Sequence, residues 1–195
     1  MLYALFFLSC AKENEKMESA YTFEKVKIDS TIKDDEIFRW LSIQNDFDMS
    51  HDGIRKKTSA AQYYSKRKDE LEIPSYYFYN NCRAEIIKDT LIIRIGTTTY
   101  LSDHGIKIKY KNGKFNSVPF QSYDIVLPNS MLKPMVYYYR NRKLILNKYH
   151  YKSGDSVFGR IHTEIEEPLQ KNSIGNEFII EHFADGFFKA KIGEL

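Results

Sequence analysis

The side chains best suited to chemistry in this chain are its five histidines: His51, His104, His150, His162 and His182. None forms the i, i+4 pair of a zinc protease or the paired spacing of a zinc finger. The chain also lacks a glycine-flanked nucleophilic serine and a phosphate-binding glycine loop. A hydrolase site would therefore have to be assembled from distant residues, with His104, Asp103 and His162 as candidates.

Three aspartates, Asp46, Asp48 and Asp52, lie close together in the segment NDFDMSHDG, and carboxylates at such spacing suit a calcium ion. An EF-hand register starting at Asp46 would need glycine at its sixth position and glutamate at its twelfth. The chain has His51 and Lys57 at those positions. The segment is therefore predicted to be a solvated loop, and no metal or cofactor is predicted.

Tyrosines cluster at Tyr137, Tyr138 and Tyr139, with Pro134 shortly before them and Arg140 directly after. A proline-flanked extended segment suits a sheet edge, where backbone groups remain open to a partner. Tyrosine and arginine are enriched at interface centres, and tyrosine rings can stack on sugars. We predict that Tyr137, Tyr139 and Arg140 bind a glycan or protein partner; the alternative is that these rings belong to the core.

The charges of the chain are nearly balanced, with 29 basic and 26 acidic side chains and a net charge of +3. Such a balance gives no support for a polyanionic partner. No nucleic acid is predicted to bind.

An apolar run ends at a cysteine in the first residues, MLYALFFLSCAKENEK. The run is far shorter than the roughly 20 residues of a membrane-spanning helix, but it suits the apolar region of a secretory signal. The four residues FLSC, ending at Cys10, resemble a bacterial lipobox, and the following AKENE resembles the export signal of Bacteroidota lipoproteins. The alternative is that the run is a buried first strand.

This resemblance implies a signal peptide over residues 1–9, a diacylglycerol and palmitate anchor on Cys10, and a tether over residues 10–29. Acyl chains hold a protein on a membrane because each buried methylene contributes about 0.8 kcal/mol. The expected location is the outer membrane, with the protein facing outward. Cys82 then has no disulfide partner, and we predict a buried thiol without a catalytic role.

Residues 30–75 are predicted to form a small helical part. Thr31 and Asp34 have the spacing of a capping box, and Ile37, Trp40 and Leu41 follow at helical spacing. These features predict a helix over residues 32–43. A second helix is predicted after Thr58, in TSAAQYYSKRKDELE.

Residues 76–195 alternate between apolar and polar side chains, which is typical of strands. Asn112-Gly113 is predicted to form a type I′ hairpin turn. Further turns are predicted at Ser153-Gly154 and Asp185-Gly186. Between the last two turns, the apolar side chains are predicted to face one way, with Arg160, His162 and Glu164 facing the other.

The segment YKSGDSVFG, followed by GFFKAKI, resembles the paired strands of immunoglobulin-like and macroglobulin-like domains of secreted bacterial proteins. The resemblance implies an antiparallel β-sandwich of about seven strands. The predicted fold is therefore mainly β, an immunoglobulin-like sandwich preceded by a small helical part. The sequence favours a lipid-anchored surface lipoprotein that binds a glycan or protein without catalysis, with a hydrolase as the alternative.

Overall fold

A computed structural model describes residues 23–48, 53–70, 77–98, 102–123, 137–171 and 175–193. One 3₁₀ turn at Ile32–Asp34 and one helix, α1 at Glu36–Ile43, lie among strands in these ranges. The strands are β1 Glu24–Lys25, β2 Lys27–Ile28, β3 Asn45–Asp48, β4 Gly53–Lys56, β5 Ser59–Arg67, β6 Tyr77–Tyr79, β7 Asn81–Ile87, β8 Thr90–Thr98, β9 Ser102–Lys111, β10 Lys114–Tyr123, β11 Tyr138–Leu146, β12 Ser156–Lys171 and β13 Glu177–Lys191.

Two sheets pack face to face and form the predicted β-sandwich. The five-stranded sheet has the order β1-β10-β9-β8-β7, and the six-stranded sheet has the order β2-β11-β12-β13-β5-β6. Neighbouring strands pair antiparallel except for β2, which is parallel to β11. The prediction of a mainly β, antiparallel sandwich is confirmed. Strands β3 and β4 form a separate two-stranded ribbon.

Alternation along each strand decides which side chains fill the space between the sheets. Ile93 on β8, Ile108 on β9 and Val157 on β12 are fully buried. On β12, Arg160 and His162 lie on the opposite face, as predicted. Burial of these branched apolar side chains is the main force that holds the sheets together.

The β9–β10 hairpin has the predicted turn. Asn112 and Gly113 have φ values of 49° and 75°, and Lys111 pairs with Lys114. Positive φ at both central residues defines the type I′ turn, whose twist matches that of the strands. The turn at Ser153-Gly154 is also present, with Gly154 at a φ of 83°.

The first predicted helix is present, but a different residue caps it. The side chain of Asp35 accepts a hydrogen bond from the Ile37 backbone N–H at 3.0 Å, whereas Thr31 makes no side-chain cap. Phe38 and Leu41 are buried against the outer face of the six-stranded sheet. The helix is therefore held by tertiary packing on that sheet.

The second predicted helix is wrong, because residues 59–67 form β5. This strand pairs with β13 on one side and with β6 on the other. Ser59, Ala61 and Tyr63 alternate into the core. Two flanking strands satisfy the backbone of this segment, and this pairing overrides its helical spacing.

The predicted turn at Asp185-Gly186 is also wrong, because both residues lie inside β13. Asp185 pairs with His162 of β12, and Gly186 pairs with Ala61 of β5. A Cβ atom on Gly186 would lie 2.3 Å from the Cα atom of Ala61. Glycine at this position thus serves close packing between strands rather than a turn.

The N-terminal edge of the sandwich begins within the predicted tether. Residues 24–25 pair with β10 of one sheet, and residues 27–28 pair with β11 of the other. The tether predicted for residues 10–29 therefore does not reach residue 29. Cys10 and the predicted signal peptide lie outside the described residues. In the described ranges, no helix combines the length and apolar character needed to cross a bilayer.

Candidate functional site

A cavity of about 590 Å³ opens between the two sheets. The five-stranded sheet contributes side chains from β9 and β10, and the six-stranded sheet contributes side chains from β5, β6, β12 and β13. The lining residues are Tyr63, Ser65, Tyr77, His104, Lys107, Pro119, Phe120, Tyr137, Glu167 and His182.

Polar side chains reach this cavity because the inward faces of β12 and β13 change character along their length. On β12 the inward residues are Ile161 and Ile165 and then Glu167. On β13 the inward residues, followed toward the N-terminus, lead from the apolar Phe188 to the polar His182. The apolar core therefore gives way to a polar end, where the cavity lies.

Three buried side chains form a hydrogen-bonded chain in the cavity wall. The hydroxyl of Tyr63 lies 2.8 Å from Nδ1 of His182, and Nε2 of His182 lies 3.1 Å from Oε2 of Glu167. Each of these residues is less than 9% exposed. In the tautomer that carries its proton on Nε2, this N–H donates to the Glu167 carboxylate and Nδ1 accepts from the tyrosine hydroxyl. The two contacts together hold the imidazole in one orientation.

Tyr63 remains a neutral hydroxyl in this setting. Its ring stacks on Tyr79 with a centroid distance of 5.2 Å. Burial raises the pKa of Tyr63 to about 12, and the nearby Glu167 carboxylate also raises it, whereas a hydrogen bond with Ser65 lowers it. At neutral pH its hydroxyl therefore carries a proton that it can donate.

The opposite wall provides an aromatic edge and a cation. The His104 ring packs edge-on against Tyr77 at 5.9 Å and against Tyr79 at 5.6 Å. Burial lowers the pKa of Lys107, and the like charges of Lys109 and Arg94 lower it further. An anionic or strongly hydrogen-bonding ligand group would relieve this repulsion.

The predicted binding residues do not share one exposed surface. Tyr137 is buried and lines the cavity. Tyr139 donates its hydroxyl proton to Oδ1 of Asn116 at 2.9 Å, and the guanidinium of Arg142 lies 3.7 Å from its ring centroid.

Arg140 is exposed and pairs with Glu166 at 2.5 Å. Arg140 is the residue skipped by the β11–β12 register, which shifts between residues 139 and 141. Of the predicted set, only Tyr137 therefore belongs to the cavity.

His104 and His162, two of the predicted hydrolase residues, lie in different parts of the structure. His104 lines the cavity. His162 lies on the outer face of the six-stranded sheet, where its Nδ1 lies 2.9 Å from Asp185 and its Nε2 lies 3.1 Å from Glu164. The side chain of Asp103 falls outside the described residues.

Metal-binding geometry is not found in the described part of the chain, where no three histidine, cysteine or acidic side chains cluster around a possible ion. In the segment considered for calcium, Asp52 lies outside the described residues, as do the side chains of Asp46 and Asp48. Cys82 is buried, and burial raises the pKa of its thiol. The prediction of a buried thiol is confirmed.

Sequence reasoning missed Tyr63 and Glu167, and it named His182 among the histidines without placing it in a site. A signal for Glu167 was present, because counting in twos from Ile161 and Ile165 puts this acid on the apolar face of β12. The same count back from Phe188 reaches His182, but only when β13 is continuous. The turn predicted within β13 prevented this count from reaching His182. The helix predicted at β5 prevented Tyr63 from being assigned to a strand face.

Comparison with protein-family models, with curated proteins and with solved structures finds no match to this chain.

Proposed function

We propose that this chain is a binding protein that holds one sugar unit of a glycan in the cavity between its two sheets. The observation that carries the proposal is the lining, which combines aromatic rings with the hydrogen-bonded chain from Tyr63 through His182 to Glu167. Sugar rings present apolar faces to aromatic side chains and hydroxyl groups to polar ones, so they match such a lining.

The size of the cavity supports a ligand of this class. Its volume of about 590 Å³ is within the 300–1,000 Å³ typical of sites for small molecules. A protein partner would instead use a broad surface of roughly 800 Å² on each side. A concave site lined by tyrosine and histidine thus favours the glycan over the protein partner.

Two adjacent aromatic residues on β6 provide a matched test. Tyr77 and Phe78 are both exposed, but only Tyr77 lines the cavity. Binding of neutral and acidic monosaccharides would be measured by saturation-transfer NMR and calorimetry. Tyr77→Ala should weaken binding about 5-fold, because stacking on a ring is worth about 1 kcal/mol. Phe78→Ala should leave affinity unchanged.

Equal losses from the two variants, or no binding by any sugar tested, would count against a glycan site. Thermal unfolding of both variants serves as the control for folding. Both rings are largely exposed, so neither variant should unfold more than a few degrees below the parent protein.

We also propose that the protein is held on the outer membrane, facing outward, by acyl chains on Cys10. The support is the FLSC sequence and the charged residues after it. Mass spectrometry of the mature N-terminus should find a lipid-modified Cys10, and Cys10→Ala should release the protein from the membrane fraction. Cys82→Ala is the matched control and should stay membrane-bound. An unmodified Met1 on the purified chain would contradict the proposal.

A further inference from the structure

The hydrogen-bonded chain in the cavity has the order of parts found in enzymes that use a hydroxyl nucleophile. A hydroxyl lies within hydrogen-bond reach of an imidazole, at 2.8 Å, and a carboxylate at 3.1 Å orients the other side of that ring. Nucleophile, base and orienting group in this sequence define a triad by geometry rather than by fold. All three residues also line the cavity.

We propose that the cavity hydrolyses an ester carried by its sugar ligand, with the Tyr63 hydroxyl oxygen as nucleophile and His182 as its base. Glu167 acts through His182 and is a positioning residue. The substrate class is an O-acylated sugar, and this inference rests on the proposed sugar site.

The reaction balances with water as its only co-reactant. The Tyr63 oxygen bonds to the ester carbonyl carbon as its proton moves to Nδ1 of His182. The carbon–oxygen bond to the sugar then breaks, and the sugar oxygen takes the proton from His182. Water next attacks the acyl-tyrosine, gives one proton to Tyr63 through His182, and releases the carboxylic acid.

The surroundings of Tyr63 are compatible with this role. Its pKa of about 12 keeps the hydroxyl protonated at neutral pH, so attack needs a base, and His182 is in contact with it. The hydroxyl is still more acidic than water, whose pKa is about 15.7. Ser65 lies two residues from Tyr63 on β5 and lines the same cavity, so its hydroxyl offers a donor for the carbonyl oxygen during attack.

The test uses the full chain and 4-nitrophenyl acetate as the probe. Rapid quenching followed by peptide mass spectrometry should find an acetyl group on Tyr63. Neutral hydroxylamine should remove it, since it is a phenyl ester, whereas acetylated lysines should persist. Tyr63→Phe should abolish this label and lower 4-nitrophenol release by about 100-fold or more. The ring of Phe can still stack on Tyr79, so the fold should survive.

Tyr64→Phe is the matched control because Tyr64 is the next residue on β5 and packs on Phe183, away from the cavity. It should label and hydrolyse like the parent protein. Glu167→Gln keeps a hydrogen-bonding oxygen beside His182 but removes the charge. It should slow deacetylation about 100-fold and change its pH profile, with thermal unfolding within a few degrees of the parent.

Acetylation confined to lysines, or release by Tyr63→Phe at the parent rate, would overturn the nucleophile. Sugar binding by the same samples separates the two proposals. Binding without an acetyl-tyrosine would leave the sugar site standing and refute the hydrolysis. An acetyl-tyrosine without sugar binding would support the nucleophile and refute the sugar as its substrate.

Discussion

Removing the phenyl ring of Phe38 should detach helix α1 from the six-stranded sheet. The ring is 3% exposed and packs edge-on against Phe158 at 5.2 Å and Phe187 at 5.9 Å. With eight residues, the helix is too short to be stable by itself. Its attachment therefore depends on this cluster and on Leu41.

The expected loss follows from the size of the group removed. Truncating a buried phenylalanine to alanine costs about 3–5 kcal/mol. Because this cluster lies on the outer face of the sheet rather than between the sheets, Phe38→Ala should fall at the lower end, about 3 kcal/mol. For a chain of this size, about 2–4 °C of melting temperature is lost per kcal/mol. The expected shift is therefore about 6–12 °C.

Urea and thermal unfolding, followed by circular dichroism, measure both quantities. Trp40→Ala is the matched control, because Trp40 lies on the same helix but is 41% exposed. Its ring contacts the Lys57 ammonium at 5.5 Å, which is worth about 0.5–1 kcal/mol. Equal destabilisation by the two substitutions would refute the packing of α1 on the sheet.

Three further substitutions or probes test other parts of the fold. Gly186→Val should lower the free energy of unfolding in urea by about 3 kcal/mol or more, because its Cβ would overlap the backbone of β5. Gly154→Ala meets no atom within 4 Å and should lower it by only about 1 kcal/mol. Cys82 is buried, so a thiol reagent should modify its peptide only in urea, as mass spectrometry would show; rapid labelling of the folded chain would contradict this burial. Hydrogen bonds from Lys148 and from the backbone of residue 152 lower the pKa of Asp155. Its carboxylate therefore stabilises the fold above the unfolded pKa of about 3.9, and this stabilisation is lost as the pH falls through the lower pKa of the folded state. Asp155→Asn should therefore lower the melting temperature at about pH 7, and this loss should shrink as the pH falls below about 3.9. A loss that stays constant into acid would contradict the assigned charge.

Two similar dipeptides show how far local sequence can predict a turn. Asn112-Gly113 joins two strands that pair with each other from the first residue after the turn, so local chemistry and sheet pairing agree. Asp185-Gly186 has the same local chemistry, but β13 has a partner strand on each side along this stretch. The hydrogen bonds of both neighbours are satisfied only when the strand continues. A turn-forming dipeptide therefore produces a turn only where the pairing of the sheet does not require the strand to continue.

Strand β5 shows the corresponding limit for helix prediction. Its residues read as helical when counted in threes and fours, and as a strand when counted in twos. Only the flanking strands β6 and β13, distant in sequence, distinguish the two alternatives. By contrast, β8 and β9 carry apolar residues at every second position, Leu91, Ile93 and Ile95 on β8 and Ile106, Ile108 and Tyr110 on β9, and there the sequence was sufficient to predict strands.

The candidate site was predictable in part. Tyr137 and His104 were both identified as candidates, for different reasons, and both line the cavity. Their convergence depends on the packing of two sheets whose strands are far apart in the chain. Glu167 carried a readable signal, an acid on an apolar face, whereas nothing local distinguishes Tyr63 from Tyr64.

The two short strands at residues 24–28 also determine how the molecule would carry mechanical load. Each is two residues long, and they pair with strands of different sheets. The backbone N–H of Val26 donates to Gly113 and that of Asp29 to Leu146, both at 2.9 Å. Because each strand contributes so few hydrogen bonds, a pull on the chain before Phe23 should release these contacts before the longer hairpins open. Each residue released would add about 3.3 Å of length, so this edge would act as a short extensible strap that spares the cavity.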